Sequence, residues 1–92
     1  MKRFEIYMPE AIEEDFEKLL SLHGISSYSR LNPTMGRGEK TPNLNNDVWP
    51  GRNTTYIIYS DRYDVLKLII EELRNLFPKE GIAAFVSEAA AL

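Results

Sequence analysis

Cysteine is missing from all 92 residues, which removes disulfide frameworks, thiolate zinc sites, iron–sulfur clusters and thiol catalysis together. Histidine occurs once, at His23, so no histidine-rich metal cluster or histidine pair can be built. Cationic charge is short as well. With 11 Lys+Arg against 14 Asp+Glu the net charge is −3, and the field that drives nonspecific binding to nucleic acid or anionic membranes is absent. Met1-Lys2-Arg3 leads directly into Phe4-Glu5-Ile6 with no long apolar run behind it, so neither a secretory signal nor a membrane span is expected, and the expected location is cytoplasmic. What the chain does have is a hydrophobic fraction of 43%, enough for one core and a single domain over residues 1–92.

The strand and helix signals come in a definite order. Residues 3–7 alternate, with Phe4 and Ile6 on one face and Glu5 and Tyr7 on the other, the period-two pattern of a strand. Pro9 suits a first helical turn, acids follow at Glu10, Glu13, Glu14 and Asp15, and Ile12, Phe16, Leu19 and Leu20 recur at helical spacing until Gly24 stops the helix. Serines alternating with larger residues predict a second strand over 25–31. Thr54 to Tyr59, a β-branched and aromatic run, predicts a third. Ser60 or Asp61 can then cap a helix whose apolar stripe is Val65, Leu66, Ile69, Ile70, Leu73 and Leu76, ended by Pro78 and Gly81. Ile82 to Val86 is wholly apolar, as expected of a strand covered on both faces. Strand, helix, strand, strand, helix, strand is the ferredoxin-like βαββαβ order: an α+β sandwich of a four-stranded antiparallel sheet with two helices on one face. Either Tyr56 and Ile58 or their neighbours Ile57 and Tyr59 must then point to the open face, and an apolar open face implies self-association.

Between the second and third strands lies a long loop over about residues 33–53, which contains three of the five prolines, three of the five glycines and four asparagines. Structureless connections of this length in compact domains are usually functional or disordered. At its start, Gly36 and Gly38 let backbone N–H groups approach an anion while Arg37 and Lys40 supply positive charge; the alternative is that the glycines simply turn the chain. At its end, Trp49 precedes a Pro-Gly turn, where it either stacks on a ligand or partner or anchors the loop by packing. Arg52 is an anion contact or a solvated turn residue. His23 falls at the end of the first helix, where capping fits better than metal binding, and no metal site is expected. The carboxylate pairs Glu13/Glu17 and Glu71/Glu72 read as solvated helix faces, and no nucleophile with a positioned base can be drawn, so no catalytic residue and no cofactor are expected.

Gly36-Arg37-Gly38 with Lys40, Trp49-Pro50-Gly51 with Asn53, and Gly81-Ile82-Ala83-Ala84-Phe85-Val86, taken in this order over residues 3–86, resemble the PII-like superfamily (the P-II nitrogen regulatory proteins and their relatives). That resemblance implies homotrimers, a long T-loop between the second and third strands that engages a target protein, and adenine nucleotides or other small effectors bound in clefts between subunits. Gly36 and Gly38 match the glycines at the loop base. Phe77-Pro78-Lys79-Glu80-Gly81 is shorter than the phosphate-binding loop of typical members, the basic residues they carry after the last strand are missing, and no tyrosine falls between Pro33 and Asn53 to be uridylylated. The resemblance is therefore to a divergent member and not to a typical nitrogen sensor. Two other readings stand beside it: a small ferredoxin-like isomerase-type enzyme with the loop as a lid and His23 or a carboxylate moving protons, and a trimeric adaptor without a small effector.

Overall fold

The computed structural model describes residues 1–34 and 52–92. Strand β1 (Lys2–Pro9) leads through a single 3-10 turn (Glu10–Ile12) into helix α1 (Glu13–Leu22). Strands β2 (Ser29–Thr34) and β3 (Asn53–Ser60), helix α2 (Tyr63–Leu76) and strand β4 (Ala83–Glu88) follow. The strands form one antiparallel sheet in the order β2-β3-β1-β4, the ferredoxin-like arrangement expected from the sequence. No helix among the described residues is long and apolar enough to cross a membrane.

The alternation along β1 sorts its side chains as expected. Phe4, Ile6 and Met8 are buried beneath the helices, and Arg3, Glu5 and Tyr7 turn to the open face. Registration of β1 on β3 sets Phe4 beside Ile58 and Ile6 beside Tyr56, so it is Tyr56 and Ile58 that join the core, while Tyr59 stands exposed on the open face. Phe16, Leu19 and Leu20 of α1 and Leu66, Ile69, Ile70 and Leu73 of α2 complete this core. Leu76 does not belong to the buried stripe: it lies in the last turn of α2, beyond the sheet, and is 57% exposed.

Helix α1 ends at a glycine, as expected, and with a complete backbone cap. His23 occupies the C-cap position, Gly24 has φ of +76°, Gly24 N–H donates to the Ser21 carbonyl at 3.0 Å and Ile25 N–H to the Leu20 carbonyl at 2.8 Å. These are the paired bonds of a Schellman motif, and buried Leu20 and Ile25 supply its apolar contact. The motif moves the second strand. Ile25, expected to open that strand, is committed to the helix cap, and β2 begins at Ser29 and runs on to Thr34, past Pro33 where the loop was expected to start. The Asn32–Pro33 bond is cis, and the β2–β3 register shifts between Leu31 and Thr34.

Two other local expectations are corrected. Neither Ser60 nor Asp61 caps α2: Arg62 holds the N-cap position, and the Ser60 Oγ, two residues before it, accepts the Arg62 N–H at 3.0 Å. Pro9 is the last residue of β1, not a helical residue, and Glu10 N–H after it donates to the Arg52 carbonyl at 2.7 Å. Strand β4 is not covered on both faces. It is the sheet edge, where the helix layer reaches only to Ala84, and Phe85 and Val86 are 62% and 45% exposed.

Candidate functional site

Five of the six residues singled out in the sequence, Gly36, Arg37, Gly38, Lys40 and Trp49, lie outside the described residues. The sixth, Arg52, is exposed just before β3, and its carbonyl holds the start of the 3-10 turn. What the structure describes is the base from which the 35–51 segment leaves and to which it returns: the ends of β2 and β3, with Thr34 opposite Asn53. Thr34 Oγ1 lies 2.9 Å from Thr55 Oγ1 and 3.1 Å from the Leu31 carbonyl, which ties the two strand ends together.

Beneath this base, on the helix side, α1 meets β2 and β3 through carboxylates. Glu17 is an acceptor hub: Tyr56 Oη donates to it at 2.5 Å, Arg30 Nη1 at 2.7 Å and Tyr28 Oη at 2.9 Å. One turn earlier, Glu13 accepts from the Thr54 hydroxyl at 2.8 Å and from Asn32 Nδ2 at 3.0 Å, and the Asn32 amide also reaches Thr54 Oγ1 at 2.6 Å. Partial burial pushes the Glu17 carboxyl up, but the three donors outweigh it and hold the group below the usual carboxylate range. Burial, and then the Glu17 charge, push the Tyr56 hydroxyl far above the ordinary tyrosine range, so it remains a donor. Its ring packs edge-on to Phe16 and Tyr28, with centroids 4.8 and 5.6 Å away.

Glu13 and Glu17 are therefore not the solvated helix face that their spacing suggested. Reading α1 alone missed them; the signal lay in combining Glu-x-x-x-Glu on the helix with Tyr28-x-Arg30-x-Asn32, alternate residues leading into and along β2. Their partners are all donors, an arrangement that fixes elements in place. His23, at the other end of α1, takes the C-cap position and is half-buried. Among the described residues no group of three or more acidic or histidine side chains is placed to hold a metal.

The open sheet face carries a different strip. Arg3 Nη1 donates to Glu5 Oε2 at 2.7 Å, and the Tyr7 hydroxyl donates to the other oxygen of Glu5. Hydrogen bonds from Tyr7 and Arg3 hold the Glu5 carboxyl below its usual range. Around this polar line stand exposed Leu31, Tyr59 and Phe85, the last edge-on to Tyr7 at 6.4 Å. On the helix side of the β4 edge, Phe4, Tyr63, Ile70 and Val86 line a groove of about 160 Å³ with Lys67, Glu71 and Arg74 at its rim.

No family model and no curated protein matches this sequence. Solved structures do. CPII from Thiomonas intermedia K12 bound to ADP, AMP and acetate superposes with a TM-score of 0.73 at 20% identity, over 92% of this chain and 81% of that one. The same protein bound to ADP and bicarbonate gives 0.73 at 19% identity over 94% and 82%. A candidate PII-like signalling protein from Thermus thermophilus gives 0.60 at 24% identity over 94% and 83%. The fold expected from the order of strands and helices is thus the fold found, and this chain has the architecture of PII-like proteins.

Proposed function

We propose that this chain is a PII-like regulatory protein of signal transduction: a homotrimer that binds a small anionic effector in clefts between subunits and signals to a protein target through the segment between β2 and β3. An adenine nucleotide is the first candidate effector, nitrogen regulation is the setting that the likeness to CPII suggests, and the cytoplasm is the location expected from the sequence. The observation that carries the reading is the superposition on CPII, over more than nine-tenths of this chain, in forms bound to ADP and AMP or to ADP and bicarbonate. Two features of this chain support it. Gly36, Arg37, Gly38 and Lys40 follow directly on β2 in sequence and combine backbone donors with positive charge. The open sheet face, with Leu31, Tyr59 and Phe85 exposed, is the kind of surface that self-association covers. In this reading Trp49 and Arg52 anchor the returning end of the segment or meet the partner, and neither catalysis nor a metal or cofactor is involved.

The mechanism is a population shift. An effector that touches the segment's base in only one of its arrangements stabilises that arrangement by its differential affinity, and the target meets a different surface. Thermal unfolding with AMP, ADP, ATP and bicarbonate at fixed protein concentration tests it. A ligand at about 100 times its Kd adds roughly 2.7 kcal/mol, a shift on the order of 10 °C for a domain of this size. Gly38→Val should remove the shift and leave the unliganded Tm in place. No shift with any ligand would favour the adaptor reading, and a dimer by light scattering would favour the enzyme.

A further inference from the structure

Strand β2 is held in an unusual way. Among the described residues it is an edge strand without a fully buried side chain, it pairs with β3 alone, and that pairing changes register between Leu31 and Thr34. Apolar burial therefore does little to fix where it lies. What crosses to the helix layer from it and from Tyr28 just before it is a polar ladder: Tyr28 and Arg30 to Glu17, and Asn32 to Glu13. The spacings agree, since residues four apart on a helix advance about 6 Å and alternate residues on a strand about 6.7 Å. Thr54 and Tyr56 of β3 donate to the same two carboxylates, so α1, β2 and β3 meet at one pair of anions directly beneath the strand ends that carry the 35–51 segment.

We propose that Glu13 and Glu17 are positioning residues which, as carboxylates, set where β2 lies and hence how the segment beyond Thr34 is presented, and that neutralising them releases β2 from the helix layer. A carboxylate only accepts, and every partner here donates. Glu17 faces Tyr28 just before β2, Arg30 from β2 and Tyr56 from β3, and Glu13 lies one turn earlier on its own helix. A proton added to Glu17 competes with three donors and leaves the Arg30 guanidinium without its anion. The link to effector binding rests on the functional reading above, whereas the hold on β2 does not.

Hydrogen exchange on the full chain separates the two. In Glu13→Gln/Glu17→Gln, amides of β2 should exchange about tenfold or more faster than in the wild type, with those of β1 and α2 unchanged. In the wild type, β2 protection corrected for the intrinsic rate should fall as pH is lowered through the carboxylate range, and in the double variant it should stay flat. Equal loss across all strands, or a flat profile in the wild type, would overturn the proposal; the wild-type profile decides even if the double variant does not fold. ADP is the probe for the second step. Weaker ADP binding by the double variant supports transmission from the carboxylates to the effector site, and equal affinity overturns it. If the wild type binds no ADP, the nucleotide reading fails while the exchange data still decide the hold on β2.

Discussion

Tyr56→Phe isolates one contact. The ring is fully buried between Phe16 and Tyr28, and phenylalanine keeps that packing while removing only the hydroxyl that donates to Glu17. A hydrogen bond to a charged group contributes roughly 1.5–3 kcal/mol. The Glu17 side chain is 26% exposed and keeps Arg30 and Tyr28, so water and the remaining donors recover part of this, and we expect a loss of about 1–2 kcal/mol. With a urea m-value near 1 kcal/mol/M for so small a domain, the midpoint should fall by about 1–2 M, followed by far-ultraviolet circular dichroism at fixed protein concentration. The pH dependence gives a second check. The folded-state pKa of Glu17 is below its unfolded value, so its stabilisation is complete above the unfolded value and disappears as pH falls through the folded one. The gap between wild type and Tyr56→Phe should therefore be widest near neutrality and close in acid. Combined with Glu17→Gln, the two losses should fall short of their sum. A gap that is the same at both ends of the pH range, or full additivity, would refute the assignment of the Tyr56 hydroxyl to an ionised Glu17.

Substitutions at two further positions probe other parts of the molecule. Gly24→Ala should cost about 1–2 kcal/mol in urea unfolding, because the positive φ is the obstacle; the nearest atom to an added Cβ is the mobile Arg62 Nη1 at 3.6 Å, and Gly24→Asn should lose less. Phe85→Glu, at the exposed aromatic of the open sheet face, should leave the circular dichroism spectrum unchanged and reduce the mass seen by light scattering; an unchanged mass would mean that assembly does not use that face.

Strands β1 and β3 and helices α1 and α2 were legible because each repeats one physical decision over several residues. Phe4, Ile6 and Met8 alternate, and Leu66, Ile69, Ile70 and Leu73 recur at helical spacing, so a single misleading residue does not change the outcome. Strand β2 was harder to place. Ile25 carries the same apolar signal whether it opens a strand or closes a helix cap, and only the backbone geometry at Gly24 decides between them. The burial of β4 was misjudged because five apolar residues in a row look alike at a sheet centre and at an edge left bare by the helices. The Glu13/Glu17 site was invisible for a related reason. Its meaning depends on which strand the helix crosses, a property of topology rather than of spacing along α1. The PII-like resemblance, which the fold bears out, was drawn from loop and last-strand motifs together, and of these only Asn53 and Gly81 to Val86 fall within the described residues.

The position of β4 has a consequence for solubility. Its outer edge presents Ala83-Ala84-Phe85-Val86, an uncharged stretch with strand propensity, and the Lys2–Glu88 ion pair is the first charge beyond it. An edge of this kind is a template for indiscriminate strand addition, the route by which folded proteins enter aggregates. Among the described residues the sheet carries that hazard at its β4 edge and ends at β2 on the other side. Val86→Lys should therefore lengthen the shelf life of dilute protein even where it does nothing for the free energy of folding.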